Sequence, residues 1–142
     1  VYADKITAPS ASRLYSIKRT RVNAYCSSLG KCILANYSNS ELEDIMKDCS
    51  FIKFTPNTIS DMEQLRAELA KVRRQGWAMD DEEYETGQRC IGAPVYDYKG
   101  DIVAAISASG EKHVLTDDRI NEVADYLVKK AFELSKALGY VE

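Results

Sequence analysis

The sequence predicts an α+β domain, a mainly antiparallel sheet flanked by helices, and three observations carry that expectation. Strand-like runs stand towards both ends of the chain, a helical middle separates them, and a long amphipathic run closes the sequence. With 142 residues, 45% of them hydrophobic, the chain suits one domain over 1–142 that buries roughly 70% of its unfolded surface.

Each element follows from its residues. The β-prone runs near 1–6 and 13–17 predict two opening strands, joined by the turn-rich stretch Thr7-Ala8-Pro9-Ser10-Ala11-Ser12. Leu29, Ile33 and Tyr37 recur at helical spacing and predict a helix from Ser27 to Tyr37. Ser38-Asn39-Ser40-Glu41 then supplies a stop and a capping box for a second helix over about Ser40 to Asp48. After a turn at Thr55-Pro56-Asn57-Thr58, the run Ser60-Asp61-Met62-Glu63 repeats the capping pattern. Met62, Leu65, Leu69 and Val72 form the stripe of a third helix that ends near Gly76. Strands are expected near 77–84, 90–96 and 102–109, with Asp97-Tyr98-Lys99-Gly100 as the hairpin turn between the last two. Thr116-Asp117-Asp118 should cap the closing helix, whose Ile120, Val123, Ala124, Leu127, Ala131, Leu134 and Leu138 keep helical spacing up to Gly139.

Composition excludes several functions. A net charge of −3 argues against a nucleic-acid-binding domain, because neutralising phosphates needs an excess of Lys and Arg on one face. The cluster Lys18-Arg19-Thr20-Arg21 reads as a solvated loop. No apolar run reaches the roughly 20 residues that span a bilayer, and a cytoplasmic location is expected. Cys26, Cys32, Cys49 and Cys90 form no Cys-x-x-Cys pair, so reduced thiols are expected, with no metal and no cofactor. The single histidine, His113, reads as an exposed loop residue. In the acidic run Asp80-Asp81-Glu82-Glu83, alternation along a strand puts Asp80 with Glu82 and Asp81 with Glu83, and most of this charge is expected in solvent. The chain opens on strand-like residues with no initiator methionine, which reads as a domain of a longer protein.

Two places could carry chemistry. Asp80, Cys90, Ser107 and Ser109 occupy strand positions where large aliphatic residues would stand if both faces were packed. Their small polar side chains leave room for a ligand or, equally, allow close packing of a helix on the sheet. Register decides whether they meet. A four-residue loop over Asp97 to Gly100 sets Cys90 opposite Ser107, whereas a three-residue loop with a bulge at Gly100 turns Cys90 to the other face. The second place is Cys26-Ser27-Ser28-Leu29-Gly30-Lys31, where free N–H groups of a first helical turn could hold a carboxylate, or where Ser27 or Ser28 is an ordinary cap.

The ordered motifs resemble the effector-binding domain of the IclR family of bacterial transcriptional regulators. They are Leu29-Gly30-Lys31-Cys32-Ile33-Leu34-Ala35, Thr55-Pro56-Asn57-Thr58-Ile59, Gly76-Trp77-Ala78-Met79-Asp80-Asp81-Glu82-Glu83, Gly87-Gln88-Arg89-Cys90-Ile91-Gly92-Ala93-Pro94-Val95 and Ala105-Ile106-Ser107-Ala108-Ser109-Gly110, with flanking matches from Val1 to Tyr140. The resemblance implies a GAF-like antiparallel sheet, with a long C-terminal helix, that senses a small organic acid or related metabolite. It implies a pocket formed by Ser28, Leu29, Asp80, Cys90, Ser107 and Ser109, and hence a four-residue turn or a compensating bulge. Ser28 and Leu29 stand where the family often has smaller residues, which implies a narrower or more polar end. It also implies assembly as a dimer or tetramer, and DNA binding only through a winged helix-turn-helix domain expected upstream. Two other classes compete with this reading: a free-standing GAF-type signalling domain, and a thiol-dependent enzyme using Cys90.

Overall fold

A computed structural model of the chain describes residues 1–8 and 21–141. A 3₁₀ turn at Ala24–Cys26 leads into four helices, α1 (Ser28–Leu34), α2 (Asn39–Met46), α3 (Met62–Gln75) and α4 (Ile120–Ala137). Three strands lie between α3 and α4: β1 (Ala78–Asp81), β2 (Gln88–Tyr96) and β3 (Ile102–Glu111). The strands pair antiparallel in the order β1-β2-β3, as the α+β expectation requires. Residues 1–8 carry no regular secondary structure, so the expected strand at 1–6 is not formed among the described residues. Its proposed partner at 13–17 lies outside them.

Alternation along β2 gives the sheet two different faces. Ile91, Ala93 and Val95 point one way and meet Ala124, Leu127 and Ala131 of α4, with Ile106 and Ala108 of β3 beside them. The opposite face receives α1. There Cys32 packs with Ala78, Ala105 and Val72 of α3, and behind α1 a second core gathers Tyr25, Leu34, Leu42, Leu65 and Leu69. Helix α1 is thus enclosed on two sides, between the sheet and the α2–α3 layer.

That enclosure overturns the expected helical face. The buried residues of α1 are Ser28, Lys31, Cys32 and Leu34, while Ile33 is 38% exposed, and the helix ends at Leu34 rather than Tyr37. Small residues face the sheet because the helix approaches it closely. A Cβ on Gly92 would lie 3.0 Å from the Ser28 carbonyl carbon, and one on Gly30 would lie 2.4 Å from the Ala24 backbone.

The capping patterns hold with local shifts. Ser38 and Glu41 form the expected capping box, and α2 begins at Asn39 and ends at Met46. At α3 the cap moves on by one residue: the Gln64 N–H donates to Asp61 Oδ1 at 2.8 Å, and the Ser60 N–H donates to Gln64 Oε1. Gly76, at φ 80°, ends that helix as expected. At α4 the expected Thr116-Asp117-Asp118 cap is absent and Arg119 takes the cap position without a side-chain bond. Asp117 is drawn instead to the buried Arg89, 2.7 Å away, which also binds Asp81 and the Leu115 carbonyl. Near its end α4 turns Ser135 inward in place of Leu134 and Leu138, which are 47% and 50% exposed. The Ser135 hydroxyl accepts the Tyr96 N–H at 2.9 Å and donates to the Ala131 carbonyl.

Candidate functional site

Two irregularities at the β2–β3 hairpin decide which side chains meet. Tyr96 pairs with Ile102, so the loop is one residue longer than expected, and Asp97 Oδ1 organises it by accepting the Lys99 and Asp101 N–H groups. A bulge follows, because Val95 pairs with Ala104 and skips Val103. Each one-residue slip alone would invert the face of β3; together they cancel. Cys90 therefore stands opposite Ser109, not opposite Ser107 as the four-residue loop predicts, while Ser107 pairs with Gly92. The facing is kept, and the compensating bulge is present.

Since Asp80 pairs with Cys90 on the other side, Asp80, Cys90 and Ser109 form one transverse row, roughly 10 Å from end to end. The next row is Ala78, Gly92 and Ser107. Helix α1 covers this second row, with Ser28 over Gly92 and Cys32 by Ala78. The first row emerges beyond the start of the helix. The Ser27 hydroxyl accepts the Gly30 N–H at 3.2 Å, and the Ser27 carbonyl accepts that of Lys31. The N–H groups of Ser28 and Leu29 head the helix, where no intrahelical acceptor exists. The structure thus gathers all six residues at one end of α1. Ser28 and Asp80 are buried, Leu29, Cys90 and Ser107 half-buried, and Ser109 exposed.

Electrostatics divide this surface. Burial pushes the Asp80 carboxyl up to about 6, against the pull of the Glu83 N–H and the Lys31 charge. Its Oδ1 already accepts the Glu83 N–H at 2.8 Å. Burial, then the Asp80 charge, pushes the Cys90 thiol up to about 12, against a hydrogen bond with Ser109. Burial chiefly raises Tyr2 also, with Cys90, Asp80 and Tyr84 acting on its phenol, which sets that residue beside the same row.

The acidic run departs from its strand expectation. β1 ends at Asp81, and Glu82 takes φ 57°, which turns Glu83 back to the Asp80 side. Two of the four carboxylates, Asp80 and Glu83, are buried rather than solvated. Glu83 meets Lys31, which is fully buried and donates to Glu83 Oε1 at 2.5 Å, to Glu68 Oε1 at 3.2 Å and to the Met79 carbonyl. Burial raises the Glu83 carboxyl to about 7 despite the Lys31 charge. Thr55 and Thr58 fasten this turn, their hydroxyls donating to the Glu82 and Glu83 carbonyls at 2.6 Å.

Lys31, Glu83 and Tyr2 were not among the sequence candidates. One signal pointed to Lys31: it stands three residues after Ser28, on the same helical face, so an inward Ser28 requires an inward Lys31. His113 is exposed in the turn after β3 and lies 3.1 Å from Glu111. Among the described residues no group of His, Cys, Asp and Glu has metal-ligand geometry, and no helix is long and apolar enough to cross a membrane.

Comparison with known proteins places this arrangement. Residues 1–136 match the model of the bacterial transcriptional regulator IclR C-terminal family. The regulator XynR of Escherichia coli is 33% identical over 140 residues, which cover 99% of this chain and 56% of XynR. KdgR of the same organism is 34% identical over 99% of this chain and 53% of its own length. The chain therefore spans about half the length of these relatives. The crystal structure of Thermotoga maritima IclR superposes with a TM-score of 0.90 at 38% identity, over 96% of this chain and 56% of that one. Sequence and fold agree: the chain belongs to the IclR family of bacterial transcriptional regulators and corresponds to their C-terminal domain.

Proposed function

We propose that this domain is the ligand-sensing and self-associating half of a cytoplasmic regulator, and that it binds a small organic acid at the start of α1. The ligand carboxylate lies against the Ser28 and Leu29 N–H groups and the Ser107 and Ser109 hydroxyls, with Cys90 as the floor and Asp80 accepting from a donor on the ligand. DNA is bound by a winged helix-turn-helix domain upstream, whose affinity the ligand controls. The supporting observation is the Asp80–Cys90–Ser109 row beside an N-terminal helical turn, a small polar surface where core residues would otherwise stand.

Regulation fits this surface better than catalysis. A nucleophilic cysteine needs a lowered pKa, and Cys90 is raised by burial and by Asp80. For assembly as a dimer or tetramer, the exposed Tyr126 and Leu134 of α4 and Leu138 at its C-cap supply apolar surface.

Calorimetry with an acid and its neutral amide, on the wild type and on Ser107→Ala, Ser109→Ala and Asp80→Asn, tests the pocket. Each lost contact to a charged group should weaken acid binding about 10- to 100-fold. Equal binding of acid and amide, or unchanged affinity in all three variants, refutes it.

A further inference from the structure

Asp80 is less available to a ligand than its place in the row suggests, because its Oδ1 holds the Glu83 N–H. The unsatisfied acceptor is its neighbour. Glu83 is 8% exposed, its Oε1 is taken by Lys31, and its Oε2 is buried with no hydrogen-bond partner among the described residues. A buried carboxylate oxygen left without a donor is costly, and such atoms call for an explanation.

Three features set the Glu83 carboxyl beside the start of α1. The left-handed turn at Glu82 folds residue 83 back beside Asp80. The carboxyl then reaches Lys31, which shares a helical face with Ser28. The thiol of Cys26, immediately before Ser27 and Ser28, feels the charges of both Asp80 and Glu83. The surrounding charge is also incomplete, since Lys31 faces Glu83, Glu68 and Asp80 together. A further donor, not a further anion, is what this corner accepts.

We propose that Glu83 Oε2 is an acceptor within the effector site, so that the domain takes acids carrying a hydroxyl or amino donor and discriminates against the same acids without one. This rests on the pocket described above and adds the group that reads the ligand's second substituent. An ionised carboxylate only accepts hydrogen bonds, so a methylene or a ketone at the same place leaves Oε2 unsatisfied. A site built around such a bond rejects the analogue lacking it more strongly than an apolar pocket rejects a missing methylene.

The probes are lactate, propionate and pyruvate, and the longer pair 3-hydroxybutyrate and butyrate, titrated into the domain by ligand-observed NMR at about pH 8, where Glu83 is ionised. The wild type should bind the hydroxy acids at least about tenfold more tightly than their deoxy or keto partners. Glu83→Gln keeps the Lys31 contact through its amide oxygen but presents a donor at the open position. It should shrink that preference to less than about threefold. Should this variant fail to fold, the side-chain carboxyl carbon of Glu83 in labelled wild type provides the second readout. Its resonance should move with lactate and stay in place with propionate. An undiminished preference in Glu83→Gln or an unmoved Glu83 resonance overturns the role of Glu83 and leaves the pocket standing, whereas equal binding of hydroxy and plain acids overturns the acceptor roles of both Glu83 and Asp80 and leaves only the carboxylate contacts. Failure of every acid to bind the folded wild type overturns the pocket, and this assignment with it.

Discussion

Replacing Lys31 with methionine removes the cation that faces Glu83, Glu68 and Asp80 while keeping most of the buried volume. At the observed separations of 2.5 and 3.2 Å, the two ion pairs are worth about 7 and about 5 kcal/mol of Coulomb attraction at an effective dielectric constant near 20. Most of that offsets the desolvation of the charges. Removing one partner leaves Glu83 buried and uncompensated, which costs about 3–5 kcal/mol. Glu68 is partly exposed and adds little. A loss of this size lowers the melting temperature by on the order of 10–15 °C for a domain of this length.

The pH dependence gives the sharper test. Glu83 rises from 4.5 to about 7 in the folded domain, and Asp80 from 3.8 to about 6. Both therefore bind protons more tightly when folded. Their stabilising contribution is complete below the unfolded values and is lost as pH rises through about 6 and about 7. The wild type should lose up to a few kcal/mol between about pH 5 and pH 8 from these two groups. Without Lys31 to favour ionisation of the pair, their folded pKa values rise further and the decline steepens. The Lys31→Met deficit should be about 3–5 kcal/mol near pH 8 and under about 2 near pH 5.5. Urea denaturation of both proteins at the two pH values measures it, and a Lys31→Met, Glu83→Leu double variant should recover most of the loss near pH 8. A deficit below about 1 kcal/mol, or one equal at the two pH values, refutes the reasoning.

Gly92→Ala would set a Cβ 3.0 Å from the Ser28 carbonyl carbon, so denaturation should show a loss of about 1–3 kcal/mol, and calorimetry a weakened acid affinity as the start of α1 is pushed off the sheet. Ser135→Ala leaves the Tyr96 N–H without its acceptor, and thermal unfolding should report a cost of about 1–3 kcal/mol with ligand affinity unchanged. Cys90, with its thiol raised to about 12, should alkylate slowly with iodoacetamide near neutral pH, and peptide mass mapping over time would expose a fast thiolate if one existed. The isolated domain, at net charge −3, should give no sequence-selective complex with duplex DNA in a mobility shift at moderate salt.

Local sequence determined most of the elements. Periodicity placed α3 and α4, the Ser38–Glu41 box placed the start of α2, and alternation with turn residues placed β2 and β3, because these signals act within a few residues of each other. Of the candidate residues, Asp80, Cys90, Ser107 and Ser109 were legible as small polar side chains where a packed sheet would carry large ones, and Ser28 and Leu29 as the first turn of a helix. Tertiary structure alone decided the rest. The pairing of Cys90 with Ser109 depends on two slips that cancel, and both register alternatives satisfy the same local pattern. The inward face of α1 was set by what lies on either side of it: an apolar stripe of Leu29, Ile33 and Tyr37 yields to Ser28, Lys31 and Cys32 because the sheet approaches to within contact of the helix backbone. Glu83 reads as a solvated charge until the turn at Glu82 brings it back under α1. A buried ion pair between residues 31 and 83 has no periodic signature, since its energy comes from exclusion of water by elements distant in the chain.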